Sequence, residues 1–316
     1  MKSDLHRAKA ATAALAATVV IVAVALVACG APRAVKEFKW AEFAGELKRE
    51  KVNNVDYAYF RFGSGPPLVM ICGITMTMTQ WDLKLLKELK RSFEVMIFDN
   101  PGIGESTYNS DEPLSIRGMA DGTLALAEKL GIQSPNILGW SMGGEIATTI
   151  GALHSDRVDS VVVAAGNAGG GPGFVPTTGK AFETLVGSKA TGLERKKQIA
   201  SVLFPKNQTA AALRYGVGLL QIPQETATKE AIARQMVAVA AWKAGPGVFE
   251  QLGTTQTRML FAGGDQDVIV PIQNSINMAN QTPNGSLKTY PDAGHAFLFQ
   301  EPVSFASEVK RFLLKN

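Results

Sequence analysis

The chain has 316 residues, 46% of them apolar. That is enough to bury one large core, and a prior of roughly 150 residues per domain leaves open one α/β domain with an insertion or two domains. The formal charge is +4, and Lys2, Arg7 and Lys9 against Asp4 put half of that excess before residue 29; the remainder, with no basic stripe interleaved with aromatics, argues against a nucleic-acid partner.

Residues 1–29 read as a targeting segment, outside the fold. A short basic region precedes an uncharged run from Ala10 to Ala28, whose 19 residues are close to the roughly 20 that span a bilayer. Cationic residues on its N-terminal side favour export of the chain beyond it. Leu26-Val27-Ala28-Cys29 resembles the lipobox of a bacterial lipoprotein, which implies lipidation at Cys29. An uncleaved signal anchor is the alternative, and both place the body outside the cytoplasm at a membrane. Cys72 is then the one cysteine left, so no internal disulfide is expected. With His154 and His295 the only histidines beyond the leader and no C-x-x-C or H-E-x-x-H, the usual metal-ligand spacings are missing.

Residues 30–54 read as a linker, with an amphipathic segment from Val35 to Lys51 expected to form a surface helix. Val55 to Phe62 alternates like one or two strands, and Leu68 to Ile71 is a continuous apolar run, as in a strand buried on both faces. Trp81 to Arg91 is helical by pattern, Phe93 to Phe98 is the next strand, Ile116 to Leu130 a helix, and Pro135 to Leu138 a strand. Glu145 to His154 is helical and Val158 to Ala165 is another strand. This alternation predicts a mostly parallel sheet covered on both faces.

The rhythm breaks over about 167–253, which holds helical patterns, with Ile232, Met236 and Val239 at one-face spacing. We read it as a helical cap inserted into the domain, entered through a glycine-rich hinge at Gly166 to Gly173. The hinge is no phosphate loop: Phe174 stands where the glycine six residues before Lys180 would be, and Ala181 replaces the required Ser or Thr. Arg258 to Phe261 resumes the strands, Pro271 opens a helix, Leu287 to Tyr290 is the last strand, and a closing helix runs from about Pro302 to Leu314.

Between a strand and a helix lies Gly139-Trp140-Ser141-Met142-Gly143-Gly144, the context that a G-x-S-x-G nucleophile elbow requires. A serine hydroxyl needs an adjacent base, and the base needs a group that fixes its tautomer. Ser141, Asp267 and His295 supply these in order, each just after a predicted strand, so all three converge on the carboxyl edge of the sheet. Asp265 competes with Asp267; the later position in the turn favours Asp267, with Asp265 shaping the turn. His154, near a helix end, is read as a surface or satisfied residue. Oxyanion donors are expected from the backbone N–H of Met142 and, in the loop after the Leu68–Ile71 strand, of Ile74.

From about Val55 to the C-terminus the chain resembles the α/β-hydrolase superfamily, on G-W-S-M-G-G at 139–144, D-N-P-G-I-G-E-S at 99–106, G-D-Q-D-V-I-V-P at 264–271 and G-H-A-F at 294–297. The resemblance implies an eight-stranded, mostly parallel sheet over 55–316 with a lid in the insertion. It also implies a triad of Ser141, Asp267 and His295 and oxyanion donors at Ile74 and Met142. Cys72-Gly73 stands where many members have His-Gly, which alters packing beneath the oxyanion site. The expected function is a membrane-tethered, extracytoplasmic serine hydrolase of a small ester, lactone or related acyl compound, with no cofactor or metal implied. Acyl transfer, perhydrolysis and carbon–carbon cleavage use the same triad, and a non-catalytic binding module is the reading from another class.

Overall fold

The computed structural model of the protein describes residues 38–219 and 227–315. The targeting segment and Cys29 lie outside the described residues. Among those described, no helix is long and apolar enough to cross a membrane.

The strands are β1 (Lys48–Val52), β2 (Val55–Gly63), β3 (Pro67–Ile71), β4 (Glu94–Phe98), β5 (Thr107–Tyr108), β6 (Asn136–Trp140), β7 (Ser160–Ala164), β8 (Arg258–Gly264) and β9 (Gly285–Tyr290). Eight of them form one sheet in the order β1-β2-β4-β3-β6-β7-β8-β9, and the two-residue β5 adds to β2. The pairings of β2 with β1, β4 and β5 are antiparallel, and those from β4 through β9 are parallel.

The helices are α1 (Trp40–Ala44), α2 (Leu83–Leu89), α3 (Ile116–Lys129), α4 (Met142–Leu153), α5 (Ala181–Val186), α6 (Gly192–Leu203), α7 (Thr209–Leu219), α8 (Lys229–Ala244), α9 (Phe249–Leu252), α10 (Gln273–Gln281), α11 (Phe297–Gln300) and α12 (Pro302–Leu313). The continuous apolar strands divide their side chains between two cores, because successive residues point to opposite faces. Leu68, Met70, Leu138 and Leu260 pack toward α2 and α12 through Leu85, Leu89, Phe305 and Val309. Val69, Ile71, Ile137 and Phe261 pack toward α3, α4 and α10 through Leu124, Ile146 and Met278.

The amphipathic stretch before the domain is not a surface helix. Its helix, α1, spans only Trp40–Ala44, and Lys48–Val52 joins the sheet as β1. The aromatics face inward: Trp40 stacks on Phe60 with centroids 5.5 Å apart, and Phe43 lies 5.2 Å from Phe62. As an edge strand β1 needs only one apolar face, and its Lys-Arg-Glu-Lys run protects an open edge from pairing with other chains. That run carries no strand-like alternation, so the sheet begins seven residues before the expected boundary at Val55.

The inserted segment between β7 and β8 contains α5 to α9 and, among the described residues, no strand. Its glycine-rich entrance is close-packed backbone rather than a flexible hinge. A Cβ on Gly170 would sit 2.0 Å from the Lys243 carbonyl oxygen, and one on Gly169 would sit 2.5 Å from Gly247 Cα. The buried face of α8 is also displaced from the expected one: Ala231, Gln235, Ala238, Val239 and Trp242 are buried, while Ile232 and Met236 are only half-buried. Helix α10 begins at Gln273, two residues beyond Pro271, whose carbonyl accepts from Asn274 N–H.

Candidate active site

Ser141 sits between β6 and α4 with φ 58° and ψ −120°, a backbone conformation that a residue with a Cβ rarely adopts. Such strain costs on the order of 1–3 kcal/mol and persists only where the surroundings over-determine it. Here the glycines on either side do so. A Cβ on Gly139 would lie 1.9 Å from the Gly143 carbonyl oxygen, and one on Gly143 would lie 2.1 Å from that of Ile71. Without side chains at these positions β6 and α4 approach closely enough to force the turn. Ser141 N–H donates to the Ala164 carbonyl, fixing the turn against the end of β7.

The turn after β8 supplies Asp267. Its Oδ1 accepts from the N–H groups of Ile269 and Val270, which leaves Oδ2 facing His295 Nδ1 at 2.7 Å. His295 follows β9 in a turn that packs against the first: a Cβ on Gly264 would be 2.1 Å from the Ala293 carbonyl oxygen. His295 Nε2 lies 2.8 Å from Ser141 Oγ. A carboxylate against Nδ1 keeps the proton there, so Nε2 presents its lone pair to the serine hydroxyl. His295 and Asp267 are buried, which protects this chain of hydrogen bonds from competing water. The fold therefore brings Ser141, Asp267 and His295 together, as the spacing in the sequence leads one to expect. Asp265 instead accepts from Ala293 N–H at 3.4 Å, and His154 lies against Asp121 at 3.0 Å.

Several contacts beyond the three side chains hold this arrangement. Trp140 packs its ring against His295 and donates from Nε1 to the His295 carbonyl at 3.0 Å. Gln300 Oε1 accepts from Gly294 N–H, and Ala296 N–H donates to the Leu203 carbonyl at the end of α6. The inserted helices thus grip the histidine turn. The Asp99–Ser106 motif is structural: Asp99 Oδ1 accepts from Met78 N–H at 2.6 Å and Oδ2 from Glu105 N–H at 2.9 Å, tying two loops together.

Ile74 and Met142 border the same small cavity as Ser141, with Glu145, Phe182, Val239, Lys243, Ile269 and Val270. Met142 is the first residue of α4, where an N–H has no acceptor within its own helix. The loop of Ile74 is held by Gln235 of α8, whose Oε1 accepts from Thr75 N–H at 2.7 Å, with Thr75 at φ 62°. Gln235, Val239 and Lys243 are spaced by four along α8, so one helix face serves both the loop and the cavity. The cavity is narrow, with room for roughly one water molecule. Cys72, just after β3, is fully buried, and burial pushes its thiol well above the ordinary range. Among the described residues no group of His, Cys, Asp or Glu could hold a metal ion.

Glu145 is the unexpected ionisable group. It is buried on α4 one turn beyond Ser141, and desolvation raises its pKa from 4.5 to about 7, opposed by the charge of Lys243 and a hydrogen bond from Asn167. Burial likewise lowers the pKa of Lys243, offset in part by Glu145.

A model of the family described as alpha/beta hydrolase fold matches residues 66–302. The chain belongs to the α/β-hydrolase fold family. Among its relatives, a pimeloyl-[acyl-carrier protein] methyl ester esterase of Vibrio atlanticus is 28% identical over 263 residues, covering 80% of this chain and 96% of that protein. A 2-hydroxymuconate semialdehyde hydrolase of Pseudomonas sp. is 26% identical, covering 79% and 88%. Of solved structures, an alpha/beta hydrolase fold protein from Chitinophaga pinensis superposes with a TM-score of 0.73 at 25% identity, covering 85% of this chain and 98% of that one.

The raised pKa of Glu145 couples stability to pH. The unfolded chain releases this proton near pH 4.5 and the folded chain only near 7, so the stabilisation is complete below 4.5 and is lost as pH rises through about 7. The Glu145→Gln variant does not undergo this loss. In urea unfolding it should match the wild type near pH 4.5 and exceed it by on the order of 2–3 kcal/mol near pH 8; a difference independent of pH would contradict the assignment.

Proposed function

We propose that the protein is a serine hydrolase that cleaves an ester, lactone or related acyl compound through a covalent acyl-enzyme. The observation that carries this reading is the unbroken chain from Asp267 Oδ2 through His295 to Ser141 Oγ, with contacts of 2.7 and 2.8 Å, ending on a serine held at positive φ. Ser141 Oγ attacks the carbonyl carbon while His295 Nε2 takes its proton. The imidazolium that forms is stabilised by Asp267, and the oxyanion is placed toward the N–H groups of Met142 and Ile74. His295 then returns the proton to the leaving group, and water repeats the sequence to release the acid. The named activities of the methyl ester esterase and the semialdehyde hydrolase support hydrolysis of this breadth.

The site of action belongs to the same proposal. The basic, apolar, Cys29-terminated leader supports export and a lipid anchor at Cys29. Metabolic labelling with a fatty-acid analogue in a bacterial host should mark the wild type and not Cys29→Ser, with Cys29→Ser released from the membrane fraction. Equal labelling of both would overturn the anchor.

The nucleophile is tested with a fluorophosphonate probe on the membrane-extracted full chain. Wild type should be labelled and Ser141→Ala should not, and Asp267→Asn should lower the second-order rate of p-nitrophenyl ester hydrolysis by about 10⁴-fold. A folded wild type that takes no label, or labelling that survives Ser141→Ala, would sink the reading.

A further inference from the structure

The cavity that holds Ser141 contains two ionisable side chains that the proposed reaction does not use. Glu145 comes from α4 and Lys243 from α8, so a core helix and a helix of the inserted segment each contribute one. Glu145 is 2% exposed, and its Oε2 is buried without a hydrogen-bond partner. A buried carboxyl oxygen left in that state costs stability, and a ligand that meets it recovers the loss.

The partners of Glu145 dictate which role Oε2 plays. Asn167 Oδ1 accepts from Trp242 Nε1 at 3.1 Å and from Gly169 N–H at 2.9 Å, so its amide nitrogen must turn toward Glu145. That nitrogen donates to Glu145 Oε1 at 2.6 Å. Oε1 is therefore committed as an acceptor, and when Glu145 is protonated the proton resides on Oε2. With burial holding its pKa near 7, the neutral acid is well populated at neutral pH and offers an O–H donor. Lys243, its ammonium 4.1 Å from the Phe182 ring centre, adds N–H donors and a positive charge. Two donors and a net positive charge in one cavity complement an anionic oxygen; a cationic group would be repelled by Lys243, and an apolar group would leave both polar groups without partners.

We propose that Lys243 and Glu145 form a recognition site for a carboxylate on the substrate, so that the preferred compounds are esters or lactones carrying a free carboxylate beyond the scissile carbonyl. The Lys243 ammonium neutralises the carboxylate, and Glu145 Oε2–H donates to its second oxygen. This inference rests on Ser141 being the nucleophile. It assigns specificity to the i, i+8 position of the same α8 face that holds the oxyanion loop through Gln235.

Matched pairs of alkyl fluorophosphonates test it, one member ending in a carboxylate and the other in a methyl group of equal chain length. The rate of labelling of the full chain is measured near neutral pH. The wild type should react at least about tenfold faster with the carboxylate-ended probe at its best length, the discrimination expected of one charge-assisted contact. In Lys243→Met and Glu145→Leu the ratio should fall toward one. In Glu145→Gln, whose amide keeps an acceptor for Asn167 and a donor in place of Oε2–H, most of the preference should remain. A purely structural Glu145 would show no such split between Gln and Leu. Equal wild-type rates at every length would overturn the carboxylate site alone, as would a ratio unaffected by Lys243→Met. A wild type labelled by neither probe would overturn the nucleophile as well. Should Lys243→Met fail to fold, the wild-type ratio and the two Glu145 variants still decide.

Discussion

Contact between the backbones of β6 and α4 at Gly139 and Gly143 is the constraint on which the site depends. No side chain fits between these elements, so the chain must reverse within one residue, and that residue, Ser141, is driven to positive φ. The strain directs Oγ out of the sheet's carboxyl edge, toward turns arriving from β8 and β9. Those turns are held by the same kind of close approach, Gly264 against Ala293, so the aspartate and histidine reach the serine on backbone that has little freedom to move. Geometry of this kind is set at folding, so little reorganisation is left for the moment of reaction.

The inserted segment is part of the site and not merely a cover. Helix α8 bonds to the loop of Ile74 through Gln235, lines the cavity through Val239 and presents Lys243 to it, while the end of α6 holds the backbone beside His295. Displacing α8 would alter the loop of Ile74 and the cavity together.

Much of this was legible in the sequence because the elements involved obey local rules. Strands buried on both faces read as unbroken apolar runs, and the glycines, serine, aspartate and histidine stand at turns after those runs. The features that escaped depend on partners distant in the chain. Lys48–Val52 looks like solvated charge until β2 lies beside it, and Trp40 looks superficial until Phe60 covers it. The glycine-rich entrance reads as a hinge because its packing partners, Lys243 and Gly247, lie about 75 residues away. Glu145 falls on a helix after a motif and passes for an ordinary surface residue. Only the closure of Asn167 and α8 over it reveals a buried acid, and the one available hint was a lone charge one turn past Ser141 in a helix with no other charged residue.

If the elbow activates Ser141, then Ser141 and no other side chain becomes acylated during turnover. Rapid quenching of the full chain during turnover of a slowly deacylating p-nitrophenyl ester, followed by peptide mass mapping, tests it most directly. One acyl group per chain is expected, on the peptide containing Gly139 to Gly144 and localised to Ser141. An acyl group on any other residue, or turnover with no acylated intermediate under conditions that trap one in a known serine esterase, would contradict it.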